Sequence, residues 1–121
     1  MRAPAKHNLR VEKICEEIKQ WCCSVDRGSR KLCSARPGWQ AMSLRSGKYK
    51  GFFQCVSLNL HDILEVNESL GYCRLEPMVT MGQLTRSLIP LGWTLPVLPE
   101  LDDLTVGGLM AGVGIESSSH K

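Results

Sequence analysis

The chain has 121 residues, of which 43% are hydrophobic and 22% charged, with a formal net charge of +3. That length suits one domain or one piece of a larger one, and the apolar share can build a core, which excludes a disordered polar chain. The charge is too mild to argue for nucleic acid, and no run approaches the roughly 20 apolar residues of a membrane span.

The charge is unevenly spread. Residues 1–50 carry 12 Lys/Arg against 4 Asp/Glu, and residues 51–121 carry 3 against 8. A basic front half could touch phosphates or anionic lipid, but a solvated face is the plainer reading. The six cysteines, Cys15, Cys22, Cys23, Cys33, Cys55 and Cys73, show no CxxC spacing. The start, "MRAPAKHNLRVEK", lacks the apolar region of a secretory signal, so reduced thiols in a soluble, cytoplasmic chain are expected. A zinc site built from His7, His61 or His120 would need a ligand spacing that is absent, so no metal is expected.

Residues 1–30 read as an N-terminal helical segment. From a candidate N-cap at Asn8, apolar residues fall at Val11, Ile14, Cys15, Ile18, Trp21 and Cys22 with helical spacing. The Cys22–Cys23 pair is expected to hold one buried and one partly exposed thiol. The polar "SVDRGSRK" ends the helix. Residues 31–121 then form the second region. "KLCSARPGWQAMSL" predicts a strand, a Pro-Gly turn and another strand, and "FFQCVSLNL" is rich in β formers.

"ILEVNESLGYCRLEP" has the alternation of a hairpin, with Tyr72, Arg74 and Glu76 on the face opposite Cys73 and Leu75. "TMGQLTRSLIPLGW" predicts a helix opened by a Thr80/Gln83 capping box and closed by Pro90 and Gly92, with Leu84, Leu88 and Ile89 buried. Trp93 is expected in the core. "WTLPVLPELDD" reads as extended, with Asp102 and Asp103 capping or bonding loops, and Thr105 can cap a short glycine-rich helix. The order of elements makes the fold class α/β or α+β.

The last stretch, "PELDDLTVGGLMAGVGIESSSHK", sets Gly107, Gly108, Gly112 and Gly114 beside Ala111. Each interior glycine costs roughly 0.5–1 kcal/mol against alanine, so the cluster needs a physical reason. It is not a G-x-G-x-x-G fingerprint, because the last position is Ser117, and it is not a P-loop, because no G-K-[ST] follows. Two readings stay open. Backbone N–H groups could converge on an anionic diphosphate, or the glycines could allow a tight bend between helix and sheet.

"ARPGWQAMSLRSGKYK", "ILEV", "EPMVTMGQLT" and above all "GWTLPVLPELDDLTVGGLMAGVGIESSSHK" closely resemble the Δ24-sterol reductase family, over roughly Ser34 to Lys121. The resemblance implies the first subdomain of a PCMH-type (vanillyl-alcohol-oxidase-like) FAD-binding domain, incomplete here. It implies non-covalently held FAD, NADPH as hydride donor, and a desmosterol-like sterol reduced at its side-chain C24–C25 double bond. It further implies a place at the endoplasmic reticulum membrane, facing the cytosol. Family members carry a membrane anchor ahead of this domain and continue past it, so a truncated form or fragment is expected. A non-catalytic interaction module is the alternative.

By the same resemblance, the segment that wraps the FAD diphosphate comprises Thr105, Val106, Gly107, Gly108, Leu109, Met110, Ala111, Gly112, Val113, Gly114, Ile115, Glu116 and Ser117. Arg36, Pro37, Gly38 and Trp39 sit where related flavoproteins place a first phosphate loop. Ser118 and Ser119 offer further hydroxyls, and His120 is expected to be a plain surface histidine, or one that reaches the site only through a neighbour, rather than a flavin attachment point. The resemblance designates no catalytic proton donor in this chain.

Overall fold

The computed structural model describes residues 3–35 and 47–112. The chain divides into two compact units, Met1–Asn59 and Leu60–Lys121. Both helices and small sheets are present, an α+β make-up.

The first unit opens with helix α1 (Ala3–Cys22), which starts well before Asn8, so Asn8 lies inside the helix and is not its N-cap. Ala3, Ala5 and Lys6 are strong helix formers, and Pro4 is tolerated in a first turn because its missing N–H has no intrahelical bond to lose. Val11, Ile14, Ile18 and Trp21 are half-buried, as their spacing predicts, and α1 packs on strand β2 (Phe53–Ser57). Cys15 and Cys22 are exposed instead, as is Cys23. Cys15 and Cys22 each follow a stripe residue by one position, a rotation of about 100° that carries them off the covered face.

At the end of α1 the Ser24 hydroxyl donates to the Trp21 carbonyl at 2.7 Å, and Trp21 Nε1 donates to the Arg30 carbonyl at 3.2 Å. These bonds fold the polar turn back on the helix and lead into strand β1 (Lys31–Ala35). β1 and β2 pair in parallel, from Lys31↔Phe53 to Ala35↔Ser57. A parallel pair requires a crossover rather than a tight turn. The Pro-Gly turn and second strand expected after Ala35, with Arg36, Pro37, Gly38 and Trp39, lie outside the described residues.

The second unit begins with the expected hairpin, β3 (Ile63–Asn67) against β4 (Tyr72–Leu75), antiparallel with a register shift between Ile63 and Glu65. Asn67 Oδ1 accepts the Leu70 N–H at 3.0 Å, and Gly71 takes φ 64° in the turn. Helix α2 (Met81–Leu88) has the full capping box. Thr80 Oγ1 accepts from Gln83 N at 3.2 Å and Gln83 Oε1 accepts from Thr80 N at 3.0 Å. Past a single 3-10 turn, Gly92 adopts φ 78° and Trp93 N donates to the Leu88 carbonyl, closing the helix as its glycine predicts.

Val79, Met81, Leu84 and Leu88 form the core of this unit, with Ile63, Val66, Cys73, Leu75, Leu95, Leu104, Val106 and Leu109 packed around them. Ile89 is 61% exposed and Trp93 42% exposed, against expectation. α2 ends at Leu88, so Ile89 starts the 3-10 turn and leaves the buried stripe. Glu76, expected on the outer face of the hairpin, is buried at 1% exposure. It lies past the end of β4, so strand alternation no longer governs it, and its carboxylate accepts the Asp62 N–H at 2.6 Å.

Candidate functional site

The candidate segment begins where two helix starts meet. Residues 76–80 run from the hairpin to α2, and Thr80 forms an isolated antiparallel bridge with Thr105, just before helix α3 (Val106–Gly112). Four backbone bonds knit the two starts together. Met81 N donates to Leu104 O at 2.8 Å and Gly82 N to Asp102 O at 3.0 Å, while Val106 N donates to Val79 O at 2.9 Å and Gly107 N to Pro77 O at 2.8 Å.

The third donor of each helix goes to its threonine. Gln83 N donates to Thr80 Oγ1, and Gly108 N donates to Thr105 Oγ1 at 3.2 Å, so Thr105 caps α3 as the sequence predicts. Leu109 N then closes on the Thr105 carbonyl at 3.0 Å. The two helices thus satisfy their opening N–H groups in the same way, with two carbonyls from the segment leading into the other helix and one threonine hydroxyl. Helix starts otherwise leave these donors unpaired.

This arrangement supplies a local reason for one of the glycines. A Cβ on Gly107 would lie 2.8 Å from Pro77 Cβ and 3.0 Å from the Pro77 carbonyl oxygen. A Cβ on Gly108 would meet Thr105 Oγ1 at 2.9 Å. Gly112 differs, since a Cβ there meets nothing within 4 Å. The packing reading therefore has firm ground at Gly107, where ring and backbone atoms intrude, whereas the cap hydroxyl near Gly108 is a neighbour that Gln83 tolerates at the same position of α2. The N–H groups of Val106, Gly107, Gly108 and Leu109 are occupied within the chain.

On α3, Val106 and Leu109 turn to the core, while Gly108, Met110, Ala111 and Gly112 are exposed, Met110 at 82%. Gly108, Ala111 and Gly112 leave much of the exposed face nearly free of side chains. Beside α3 lies an apolar cleft of about 330 Å³, lined by Leu75, Leu84, Leu95, Val97, Leu109 and Met110 among others. Asp102 does not face this cleft. Its carboxylate lies over Gly82 and pairs with Arg86 at 3.6 Å.

Thr105 to Gly112 are therefore brought together on one capped helix, held by Pro77, Val79 and Thr80. Val113, Gly114, Ile115, Glu116 and Ser117, together with Ser118, Ser119 and His120, lie outside the described residues. The sequence reading missed the strut at Pro77 and Val79, and the one signal for it was the proline after the hairpin. Among the described residues no group of three or more His, Cys, Asp or Glu stands together as a metal site, and no helix is long and apolar enough to cross a membrane.

The capped helix α3 thus presents Gly108, Ala111 and Gly112 on its outer face, with Met110 beside them. Residues 35–121 match the family model described as an FAD binding domain, and the chain belongs to that family. Its sequence is 54% identical over 120 residues to the Delta(24)-sterol reductase of Homo sapiens, a match covering 98% of this chain and 23% of the relative. It is 49% identical to the Delta(24)-sterol reductase homolog of Caenorhabditis elegans, over 98% of this chain and 22% of the relative. The Delta(24)-sterol reductase of Arabidopsis thaliana is 40% identical over 95% of this chain and 20% of its own length.

The chain thus spans about a fifth of the length of these relatives. The similarity also runs through the first thirty residues, which the motifs alone had left outside it. No solved structure matches the chain.

Proposed function

We propose that this chain forms part of the flavin-binding domain of an FAD-dependent Δ24-sterol reductase. The substrate is a desmosterol-like sterol reduced at its side-chain C24–C25 double bond, with NADPH as hydride donor, at the cytosolic side of the endoplasmic reticulum membrane. The observation that carries this reading is the 54% identity to a Delta(24)-sterol reductase across nearly the whole chain, on top of the FAD-binding family match. Non-covalently bound FAD supplies the two-electron carrier between NADPH and sterol.

Thr105–Ser117 are the proposed contact segment for the FAD diphosphate. The bonding of Val106, Gly107, Gly108 and Leu109 within the chain supports a division of labour in it. Thr105–Leu109 fix the helix, Gly108, Ala111 and Gly112 give the flavin a side-chain-free approach, and the donors to the diphosphate come from Val113–Ser117. A charge-assisted hydrogen bond is worth about 1.5–3 kcal/mol, so two or three of them offset the glycine cost.

A domain exchange tests the reading. Residues 1–121 replace the corresponding segment of the human relative, and the purified chimera is assayed for flavin absorbance and for desmosterol reduction with NADPH. Retained flavin and turnover are expected, and Gly114→Val in the chimera should release the flavin while far-UV circular dichroism is unchanged. A folded chimera with no flavin would reject the proposal, and one with flavin but no sterol turnover would reject its sterol half. Residues 1–121 alone are expected to bind FAD weakly and to reduce no sterol.

A further inference from the structure

The first unit holds a pair of thiols that the flavin reading does not use. Cys33 and Cys55 are register partners in the parallel β1–β2 pair. Neighbouring strands lie about 4.8 Å apart and register partners share a face, which falls within the Cα separation a disulfide spans. Gln54 and Val56 line a cleft with Trp21 of α1, so alternation sends Cys55, and with it Cys33, to the other face.

Both thiols are within reach of solutes, Cys55 exposed and Cys33 half-buried. Each makes only a weak bond to a nearby carbonyl, Cys33 Sγ to Ser34 O at 3.5 Å and Cys55 Sγ to Phe53 O at 3.9 Å. Register pairing of this kind is not available to the two cysteines within α1. Cys15 and Cys22 lie seven positions apart on α1, about 10.5 Å along its axis, too far for a bridge.

We infer that Cys33 and Cys55 form a reversible disulfide, a redox modification site that cross-links β1 to β2. The oxidant is a small-molecule disulfide of the glutathione class. The Cys55 thiolate attacks it, a Cys55–glutathione bond forms, and the first glutathione leaves as a thiolate that takes up a proton. The Cys33 thiolate then attacks the Cys55 sulfur, the protein disulfide forms, and the second glutathione likewise leaves as a thiolate that takes up a proton. In sum two protein thiols are oxidised and one glutathione disulfide is reduced to two thiols.

Reversibility follows from exposure, since Cys55 is exposed and Cys33 only half-buried. Strained or exposed disulfides are the readily reduced ones. The bond closes a loop around residues 34–54, which includes the start of the FAD-binding match at residue 35.

The experiment equilibrates residues 1–121 with oxidised and reduced glutathione at graded ratios, alkylates the remaining thiols and maps the peptides by mass spectrometry. Trypsin leaves Cys55 and Cys73 together on residues 51–74, so fragment sequencing is needed to separate them. A Cys33–Cys55 link that appears with oxidised glutathione, disappears with reduced glutathione and fails to form when the equilibration is run in urea is the expected result. Cys33→Ser should instead trap a lasting glutathione adduct on Cys55. The inference is overturned if Cys33 and Cys55 remain alkylated while other cysteines are bridged, or if the adduct on Cys55 lasts equally long with Cys33 present. Wild-type mapping requires no variant to fold.

Discussion

Gly107 is pressed against Pro77, with its N–H on the Pro77 carbonyl at 2.8 Å and no room for a side chain on that side. The contact joins the end of the hairpin to the start of α3, thirty positions later in the chain. It makes Gly107 a packing residue whatever else the segment binds. Gly107→Ala should therefore destabilise the chain by about 1–3 kcal/mol through overpacking. Gly112→Ala, whose Cβ would enter open space, should be neutral or stabilise by up to about 1 kcal/mol. Urea midpoints of the two variants test the contrast, and equal midpoints would show that Pro77 yields freely. For the same reason a flavin defect in a Gly107 variant is ambiguous, while one in Gly112 or Gly114 speaks to the ligand.

The paired threonine caps should be separable by the same measurement. Thr80→Ala removes the acceptor for Gln83 N and should cost about 1 kcal/mol, while Thr80→Ser should keep most of it. Thr105→Ala should cost a similar amount by freeing Gly108 N. A double-mutant cycle between Thr80 and Gln83 should show coupling, because each side chain bonds the other's backbone.

Glu76 offers a sharper contrast between isosteres. Its carboxylate accepts the Asp62 N–H at the entry to β3, in a site almost closed to solvent. Glu76→Leu should cost about 1–3 kcal/mol, because a buried donor loses its partner. Glu76→Gln keeps an acceptor oxygen and should cost less. If hydrogen exchange at Asp62 is equally slow in both variants, the carboxylate is not what protects it.

Leu84 and Ile89 test the helix boundary. Leu84 is 1% exposed in the core, so Leu84→Ala should cost about 2–5 kcal/mol. Ile89→Ala, at a site mostly open to water, should change stability by no more than about 0.5 kcal/mol. Thermal or chemical unfolding of the two variants decides it. A large loss at Ile89 would mean that something covers it in solution.

Local pattern was enough for the elements whose contacts are close in sequence. The hairpin at Ile63–Leu75, the Thr80/Gln83 box, the Gly92 stop and the Thr105 cap all rest on bonds between residues near one another in the chain, and each is legible in the sequence. The glycine cluster announced itself too, and with the neighbouring motifs it pointed to an FAD-binding domain. Tertiary structure decided what lies between distant segments. No periodicity says that β1 pairs in parallel with β2, that Glu76 folds under the hairpin toward Asp62, or that Pro77 occupies the space beside Gly107. Hydrophobic spacing reports which face of an element is apolar. It carries no information on which distant carbonyl or ring will fill that face, because that depends on how the chain closes on itself.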